Sequence, residues 1–326
     1  MSSPGRSGSS HVWPRVPGRI EGRSGGPTLI ALGGIHGNEP AGLLAAERVL
    51  ERIAAEDLVG RGQFDGSFVV LAGNRTALER GVRYVDRDLN RGWTQATVAG
   101  LGTPAGTPPD ASASPHAVED AEQRELWHEL EGVLAAARGG VYFVDLHTTS
   151  AAGPPFMVVD DGPEQLPFAL AFGLPAFLGL VGRLTSTLMP FLVRRGVVGV
   201  AIEGGQNEAA SSVDHHEAIL WIALVEAGLV PPRALRDLPA MRDRLDRARR
   251  GLPRAIEVYH RHAIRKEDDF RMAPGFANIQ RIARGTLLAH DRHGEIRAPE
   301  DCLVVMPLYQ GLGDDGFFLG REIRVG

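Results

Sequence analysis

The chain has 326 residues, 43% of them apolar, and a net charge of −5 at pH 7. That apolar share can fill one large or two modest cores, and the acidic balance removes the basic footprint of a nucleic-acid binder. The single cysteine, Cys302, excludes an internal disulfide framework, reads as a small buried core residue and suits a reducing cytoplasm.

Residues 1–27 read as an N-terminal extension; Met1–Ser10 is rich in Gly and Ser and lacks the apolar core of a signal peptide. Thr28–Leu32 reads as a buried strand. It runs into Gly33-Gly34-Ile35-His36-Gly37-Asn38-Glu39-Pro40, a His-x-x-Glu pair in a glycine-rich turn. Apolar residues at threes and fours predict a helix over Ala41–Ala55, with Pro40 well placed at its start. Ser67–Ala72 is a second strand, ending at Gly73-Asn74. Strand, helix and strand in this order predict a right-handed crossover in a largely parallel sheet.

Thr94–His116 holds four prolines among Ala, Gly, Ser and Thr and reads as a mobile surface loop, either a lid or a disordered insertion. Glu119–Ala137 reads as a charged amphipathic helix, with Glu119, Asp120 and Glu122 on a solvated face. Val141–Leu146 is a strand that delivers His147. Thr148, Thr149 and Ser150 then line a pocket or satisfy turn backbone groups. Leu166–Val181 is the most apolar region, but Pro167, Gly173, Pro175 and Gly179 break it, so it reads as buried α/β core rather than a membrane span.

Val197–Ile202 is the strand that carries Glu203. Asp214 reads as the cap of a helix through Glu226, with His215 and His216 as surface residues, because neighbours on a helix point apart and make a poor metal pair. Residues 231–254 read as a helical connector. From Ala255 onwards, short runs broken by Gly, Pro and Asp predict a compact antiparallel β module. There a turn across Asp291–Gly294 accounts for His290 and His293. The expected division is an extension over 1–27, a catalytic domain over 28–250 and a small β-rich domain over 251–326.

Two imidazoles and one carboxylate are the ligands of a catalytic zinc that keeps a position open for water. His36 and Glu39 are close in sequence, and a fold must bring His147 to them. Glu203, at a third strand end, can be the base for that water. Arg83, Asn90 and Arg91 can supply a cation for a developing oxyanion and a two-pronged clamp for a substrate carboxylate. The plainer readings are that His147 is a buried histidine bonded to Asp145 and that Arg91 pairs with Asp88 on a surface turn.

With these residues in place, the sequence resembles the succinylglutamate desuccinylase/aspartoacylase family, a branch of the zinc carboxypeptidase-like hydrolases. The resemblance rests on Gly34-Ile35-His36-Gly37-Asn38-Glu39, on Asn74 followed by Arg83-Tyr84-Val85-Asp86-Arg87-Asp88-Leu89-Asn90-Arg91, on Asp145-Leu146-His147 and on Ile202-Glu203-Gly204-Gly205. It implies a zinc-carboxypeptidase-like α/β fold, with a mixed, largely parallel central sheet flanked by helices and a small C-terminal β domain over the rim of the site. It implies one Zn2+ per chain on His36, Glu39 and His147. Glu203 would take a proton from the attacking water and pass it to the leaving amine. Arg83 would polarise the scissile carbonyl, and Asn90 with Arg91 would hold the substrate carboxylate. A C-terminal tyrosine near the substrate in the aspartoacylase branch draws attention to Tyr309. The further arginine that this branch carries upstream of the catalytic Glu has no clean counterpart in Arg194 or Arg195, and Arg75 stands where a proline is common.

The expected activity is therefore zinc-dependent hydrolysis of the amide bond of a small N-acyl amino acid or related acyl amine. The expected partner is that small molecule, with no nucleic acid and no membrane; a homo-oligomer stays open. Two rivals share the scaffold: a carboxypeptidase-type peptidase, distinguished by pocket depth, and a non-catalytic metal- or ligand-binding protein, since a fold alone does not guarantee a function.

Overall fold

The structure is a computed structural model that describes residues 12–101, 117–160, 162–184 and 186–324. Its centre is the run that composition marks as most strand-like. Leu29, Ile30, Ala31 and Leu32 have no exposed surface, as expected of a parallel strand covered on both faces. The first eight strands are β1 (Gly18–Glu21), β2 (Arg23–Gly33), β3 (Asp65–Ala72), β4 (Val141–Thr149), β5 (Phe156–Val158), β6 (Ala176–Leu178), β7 (Val198–Gln206) and β8 (Ala255–Ala263). The helices are α1 (Ala41–Ala55), α2 (Arg75–Arg80), α3 (Gln95–Leu101), α4 (Ala117–Ala136), α5 (Gln165–Leu170), α6 (Leu188–Val193), α7 (Ala210–Glu226) and α8 (Leu238–Arg249).

Strands β3, β2, β4 and β7 lie side by side and parallel, and the register puts Leu32 beside both Leu71 and Asp145, and His147 beside Glu203. The two-residue period of the strands then sorts the core into two layers. Leu29, Ala31, Phe68, Val70, Val144 and Leu146 face α1 and α7. Ile30, Leu32, Val69, Leu71 and Phe143 face α4 and α6. Each such large side chain taken out of water contributes about 1.5–3 kcal/mol, so the strand order is strongly determined. Because all four strands run the same way, their C-terminal ends and following loops collect along one edge, the usual place for a site in an α/β sheet.

The remaining strands are β9 (Arg271–Met272), β10 (Gln280–Ile282), β11 (Leu287–Asp291), β12 (Gly294–Arg297), β13 (Cys302–Val305) and β14 (Asp315–Ile323). The large sheet has eleven strands in the order β1-β3-β2-β4-β7-β5-β6-β8-β14-β13-β10, and β12-β11-β9 form a separate small sheet. The β-rich C-terminal part is present as expected. It grows out of the main sheet, since β8 pairs with β6 and β14 pairs antiparallel with β8. Cys302 is buried in its core beside Val304 and Leu319, and the turn after Asp291 closes the β11–β12 hairpin. Among the described residues no helix is long and apolar enough to cross a membrane.

Three expectations need correction. The segment read as a loop from Thr94 begins with α3, whose first turn is closed by Thr94 Oγ1 accepting the Thr97 N–H at 3.1 Å; residues 102–116 lie outside the described residues. Helix α7 starts four residues before Asp214, because the Asp214 carboxylate is engaged sideways with Arg48 at 3.0 Å rather than with backbone N–H groups. The acidic run of α4 is solvated only at Asp120, which is half-exposed beside Arg87. Glu119 is fully buried and Glu122 nearly so, for the reason given below.

Candidate active site

His36 and Glu39 sit in the turn between β2 and α1, both buried. The turn is tight against α2: a Cβ on Gly37 would lie 2.0 Å from the Ala77 carbonyl carbon, so only glycine fits there. The Glu39 N–H donates to the His36 carbonyl at 3.1 Å, which curls the two side chains towards each other. Glu39 Oε1 lies 3.1 Å from His36 Nδ1, and Oε2 lies 3.0 Å from His147 Nδ1. Oε2 also accepts the Thr148 N–H at 3.2 Å. One ligand atom from each of the three residues falls within 4.8 Å of the others. The fold thus brings His147 to His36 and Glu39 across more than a hundred positions of sequence.

The far nitrogen of each imidazole meets a carboxylate. His36 Nε2 is 3.1 Å from Asp88 Oδ1, and His147 Nε2 is 3.3 Å from Asp145 Oδ1. Such partners orient a ligating imidazole and fix its tautomer. Arg83 closes the ring, with Nη1 donating to Glu39 Oε1 at 3.2 Å and Nη2 to Asp88 Oδ2 at 3.1 Å. Burial alone would raise the Glu39 carboxyl, but His36 and His147 outweigh it and hold it well below the usual range. Burial is likewise overcome at Asp88 by His36 and Arg83, and at His147 by Asp145 and Glu39, which raise it well above the usual imidazole value.

Glu203 stands beside His147 across the β4–β7 pair. Burial pushes its carboxyl up to about 7, with His147 opposing and Glu39 adding to the rise, and Oε2 has no hydrogen-bond partner. Asn90 is buried; its Oδ1 accepts the Leu188 N–H at 2.9 Å. Arg91 donates to Asp315 Oδ2 at 3.1 Å rather than pairing with Asp88. All seven residues singled out in the sequence line one cleft of about 980 Å³, open solvent at its mouth included, together with Thr148, Thr149 and Ser150. Tyr309 does not line it, and its hydroxyl is engaged with the Ala273 carbonyl and the Phe276 N–H. Neither Arg194 nor Arg195 lines it either. Arg195 lies over the Phe191 ring instead.

Two buried residues behind the site were read as surface. His216 has no exposed surface, and its Nε2–H donates to the His147 carbonyl at 2.9 Å. Burial pushes it down to about 3, so it is neutral. Its ring occupies the space a side chain on Gly204 would need, the ideal Cβ lying 2.4 Å from His216 Nε2. The signal was available: with α7 begun at Ala210, Ser212, His216, Ile219 and Ala223 form one buried stripe. Glu119 accepts the N–H groups of Val85, Asp86 and Arg87 at 2.7, 2.9 and 3.3 Å, and Asn74 Nδ2 donates to it at 2.8 Å. Asn74 in turn caps α2 by accepting the Ala77 N–H. Glu119 therefore holds the loop that presents Arg83, Asp88, Asn90 and Arg91.

A largely parallel α/β sheet with a His-Glu-His cluster at its strand ends defines an α/β protein with a candidate metal centre on the sheet edge. The chain belongs to the succinylglutamate desuccinylase/aspartoacylase family: the model of that family's catalytic domain matches residues 25–225. A succinylglutamate desuccinylase of Pseudoalteromonas atlantica is 25% identical over 284 residues, 84% of this chain and 74% of that protein. An N-acyl-aromatic-L-amino acid amidohydrolase (carboxylate-forming) of Xenopus tropicalis is 29% identical over 131 residues, 40% of this chain and 36% of its own. A crystal structure of a succinylglutamate desuccinylase/aspartoacylase from Rhodobacter sphaeroides superposes with a TM-score of 0.63 at 21% identity, covering 94% of this chain and 88% of that one. The latter likeness concerns the fold.

Replacing Glu119 by Ala strands several buried donors, each worth about 1–3 kcal/mol when left unpaired. Glu119→Ala should lower the melting temperature by several degrees and reduce activity as well, because the loop bearing Arg83 and Asp88 loses its anchor. A melting temperature within a degree of wild type would show that the loop is held by something else.

Proposed function

We propose that this protein is a zinc-dependent amidohydrolase that cleaves the amide bond of a small N-acyl amino acid. The observation that carries the reading is the convergence of two imidazole Nδ1 atoms on the Glu39 carboxylate, beside the unpartnered Glu203 oxygen in the same cleft. His36 Nδ1 is itself buried without a properly aligned hydrogen bond. An orphaned nitrogen, a second imidazole and a carboxylate form the donor set that suits zinc, so His36, Glu39 and His147 would hold it.

Zinc bound there supplies a Lewis acid for water and for the amide carbonyl. The protein's own groups do the rest. Glu203, kept short of hydrogen-bond partners, takes a proton from the attacking water and returns it to the departing amine nitrogen. Arg83, at the edge of the cluster, donates to the carbonyl oxygen as negative charge builds on it. Asn90 and Arg91 hold the substrate carboxylate. Asp88 and Asp145 keep the two imidazoles turned towards Glu39. The names of the relatives support an acyl amino acid as the substrate class, since those proteins are a desuccinylase and an amidohydrolase.

The mouth of the cleft favours this reading over a peptidase. Met306, Pro307, Leu308 and Gln310 of the C-terminal part line the cleft, and Asn38 Nδ2 donates across to Gln310 Oε1 at 3.2 Å. This contact ties the segment before β14 to the turn that bears His36 and Glu39, which supports a small substrate over a polypeptide.

Glu203→Gln should keep its zinc and lose at least about a hundredfold in kcat, because an amide cannot accept the proton. The wild-type loss of kcat/KM at low pH, where the base becomes protonated, should vanish with it. Activity within a few-fold of wild type would remove Glu203 from this role. His147→Ala should lose zinc and activity together, since two ligands hold zinc weakly; full occupancy by elemental analysis would point to another third ligand. Arg91→Lys should raise KM with little change in kcat, because an ammonium cannot form the two-pronged contact. The effect should shrink for a substrate whose carboxylate is replaced by an amide. An equal loss on both substrates would instead assign Arg91 to holding the Asp315 strand.

A further inference from the structure

Resting on the deacylase reading, we infer that the cleft selects an amino-acid half with a large apolar side chain and a single carboxylate. Beyond the polar cluster the cleft wall is built from Val158, Leu180, Leu184, Met189, Met306 and Phe318. Most of these are buried, Leu180 and Phe318 completely. Such a wall gives nothing to a second carboxylate, and burying one against it without a partner is strongly unfavourable.

The wall adjoins the carboxylate-binding end. Asn90 Oδ1 accepts the Leu188 N–H, which holds the start of the helix that carries Met189 against Asn90. Arg91 is tied to Asp315, three residues before Phe318 on the same strand. An α-amino acid carries its carboxylate and its side chain on one carbon. A carboxylate on Arg91 therefore presents the side chain of the same half-molecule to this wall, while the acyl group extends from the scissile carbonyl on the other side.

Charge points the same way. Arg91 and Arg261 both donate to Asp315. Sharing Asp315 with Arg261 leaves the Arg91 guanidinium incompletely neutralised, and among the described residues Arg91 is the one cation at this end of the cleft wall for a substrate carboxylate. Asp314 also lines the cleft and repels a further anion. Among the described residues the arginines on the cleft wall are Arg83 and Arg91, and Arg83 already faces Glu39 and Asp88. An aspartate or glutamate half would bring a second carboxylate with no cation to meet it.

The test is a crossed panel on the zinc-loaded full chain: N-acetylglycine, N-acetylleucine, N-acetylphenylalanine, N-acetylaspartate, N-succinylglutamate and N-hexanoylglycine. N-acetylphenylalanine and N-acetylleucine should exceed N-acetylglycine by at least about tenfold in kcat/KM, the scale expected for burying a side chain of that size, and should exceed both dicarboxylic substrates. A preference for N-acetylaspartate or N-succinylglutamate overturns the inference while leaving the deacylase reading intact. So does N-hexanoylglycine matching N-acetylphenylalanine, since the wall then takes the acyl chain. Leu184→Asn should raise KM for N-acetylphenylalanine about fivefold more than for N-acetylglycine, whereas an equal change on both would mark a structural effect only and count against the wall. If nothing in the panel is hydrolysed, the deacylase reading fails, and calorimetry still decides the selectivity: phenylalanine should bind the zinc-loaded protein more tightly than aspartate, and equal or weaker binding overturns it.

Discussion

The Glu39 carboxylate is a charge buried at the edge of a sheet, and the site is organised around the need to keep it paired. An unpaired buried carboxylate costs several kcal/mol or shifts its pKa until it is neutral. Here it stays ionised, because His36, His147 and Arg83 surround it. Each of those partners then needs support of its own. Asp88 takes the far side of both His36 and Arg83, and Asp145 takes the far side of His147. The result is a cluster in which carboxylates alternate with imidazoles and a guanidinium, and removal of one member leaves the others exposed to the full desolvation penalty. A divalent cation on Glu39 and the two imidazoles would relieve the same strain of charge that the protein otherwise balances internally.

This arrangement needs loops held as firmly as strands. The β2–α1 turn gets its rigidity from close backbone packing at Gly37. The Arg83–Arg91 loop has no such packing and uses a buried carboxylate instead. Glu119 gathers consecutive backbone N–H groups of that loop and, through Asn74, the start of α2. Beside it Arg15 reaches from the N-terminal segment to the Ala72 and Gly73 carbonyls and to Glu122. A residue that reads as part of a solvated face thus anchors the loop that carries half the candidate site, and one from the extension ties the end of β3 to α4.

What could be read from the chain follows from how each signal is generated. Strands β2, β3, β4 and β7 are buried on both faces, so continuous apolar runs mark them, and α1 carries an apolar stripe of period 3.6; their bounds were legible within a few residues. The clustering of His36, Glu39 and His147 was legible because their residue types are distinctive and each lies near a strand end or a helix start. Glu119 and His216 were not, because their partners are backbone atoms tens of residues away, and a backbone donor or acceptor leaves no mark in residue type. An acidic first turn on a helix looks the same whether it faces water or a loop. Asp315 was hidden for a related reason: its meeting with Arg91 depends on β14 joining β8 and on the strand β8 extending from β6, a long-range pairing that no local pattern encodes.

That pairing also explains why the C-terminal part is continuous with the main sheet. Arg91 on its own would sit on a loop, free to move with it. Because Arg91 is bonded to Asp315, and Asp315 to Arg261, the Arg91 guanidinium is fixed to two neighbouring strands of the sheet. The same strand carries Phe318 into the cleft wall, and the segment before it supplies Met306, Leu308 and Gln310 at the mouth. One stretch of chain therefore contributes Met306, Leu308 and Gln310 to the cleft lining, Asp315 to its polar end and Phe318 to its apolar wall. Changes in that stretch can alter which small molecule fits while leaving His36, Glu39, His147 and Glu203 untouched, since those four are positioned by β2, β4 and β7. On the deacylase reading, the residues for chemistry and those for selectivity would lie on different strands of the same sheet.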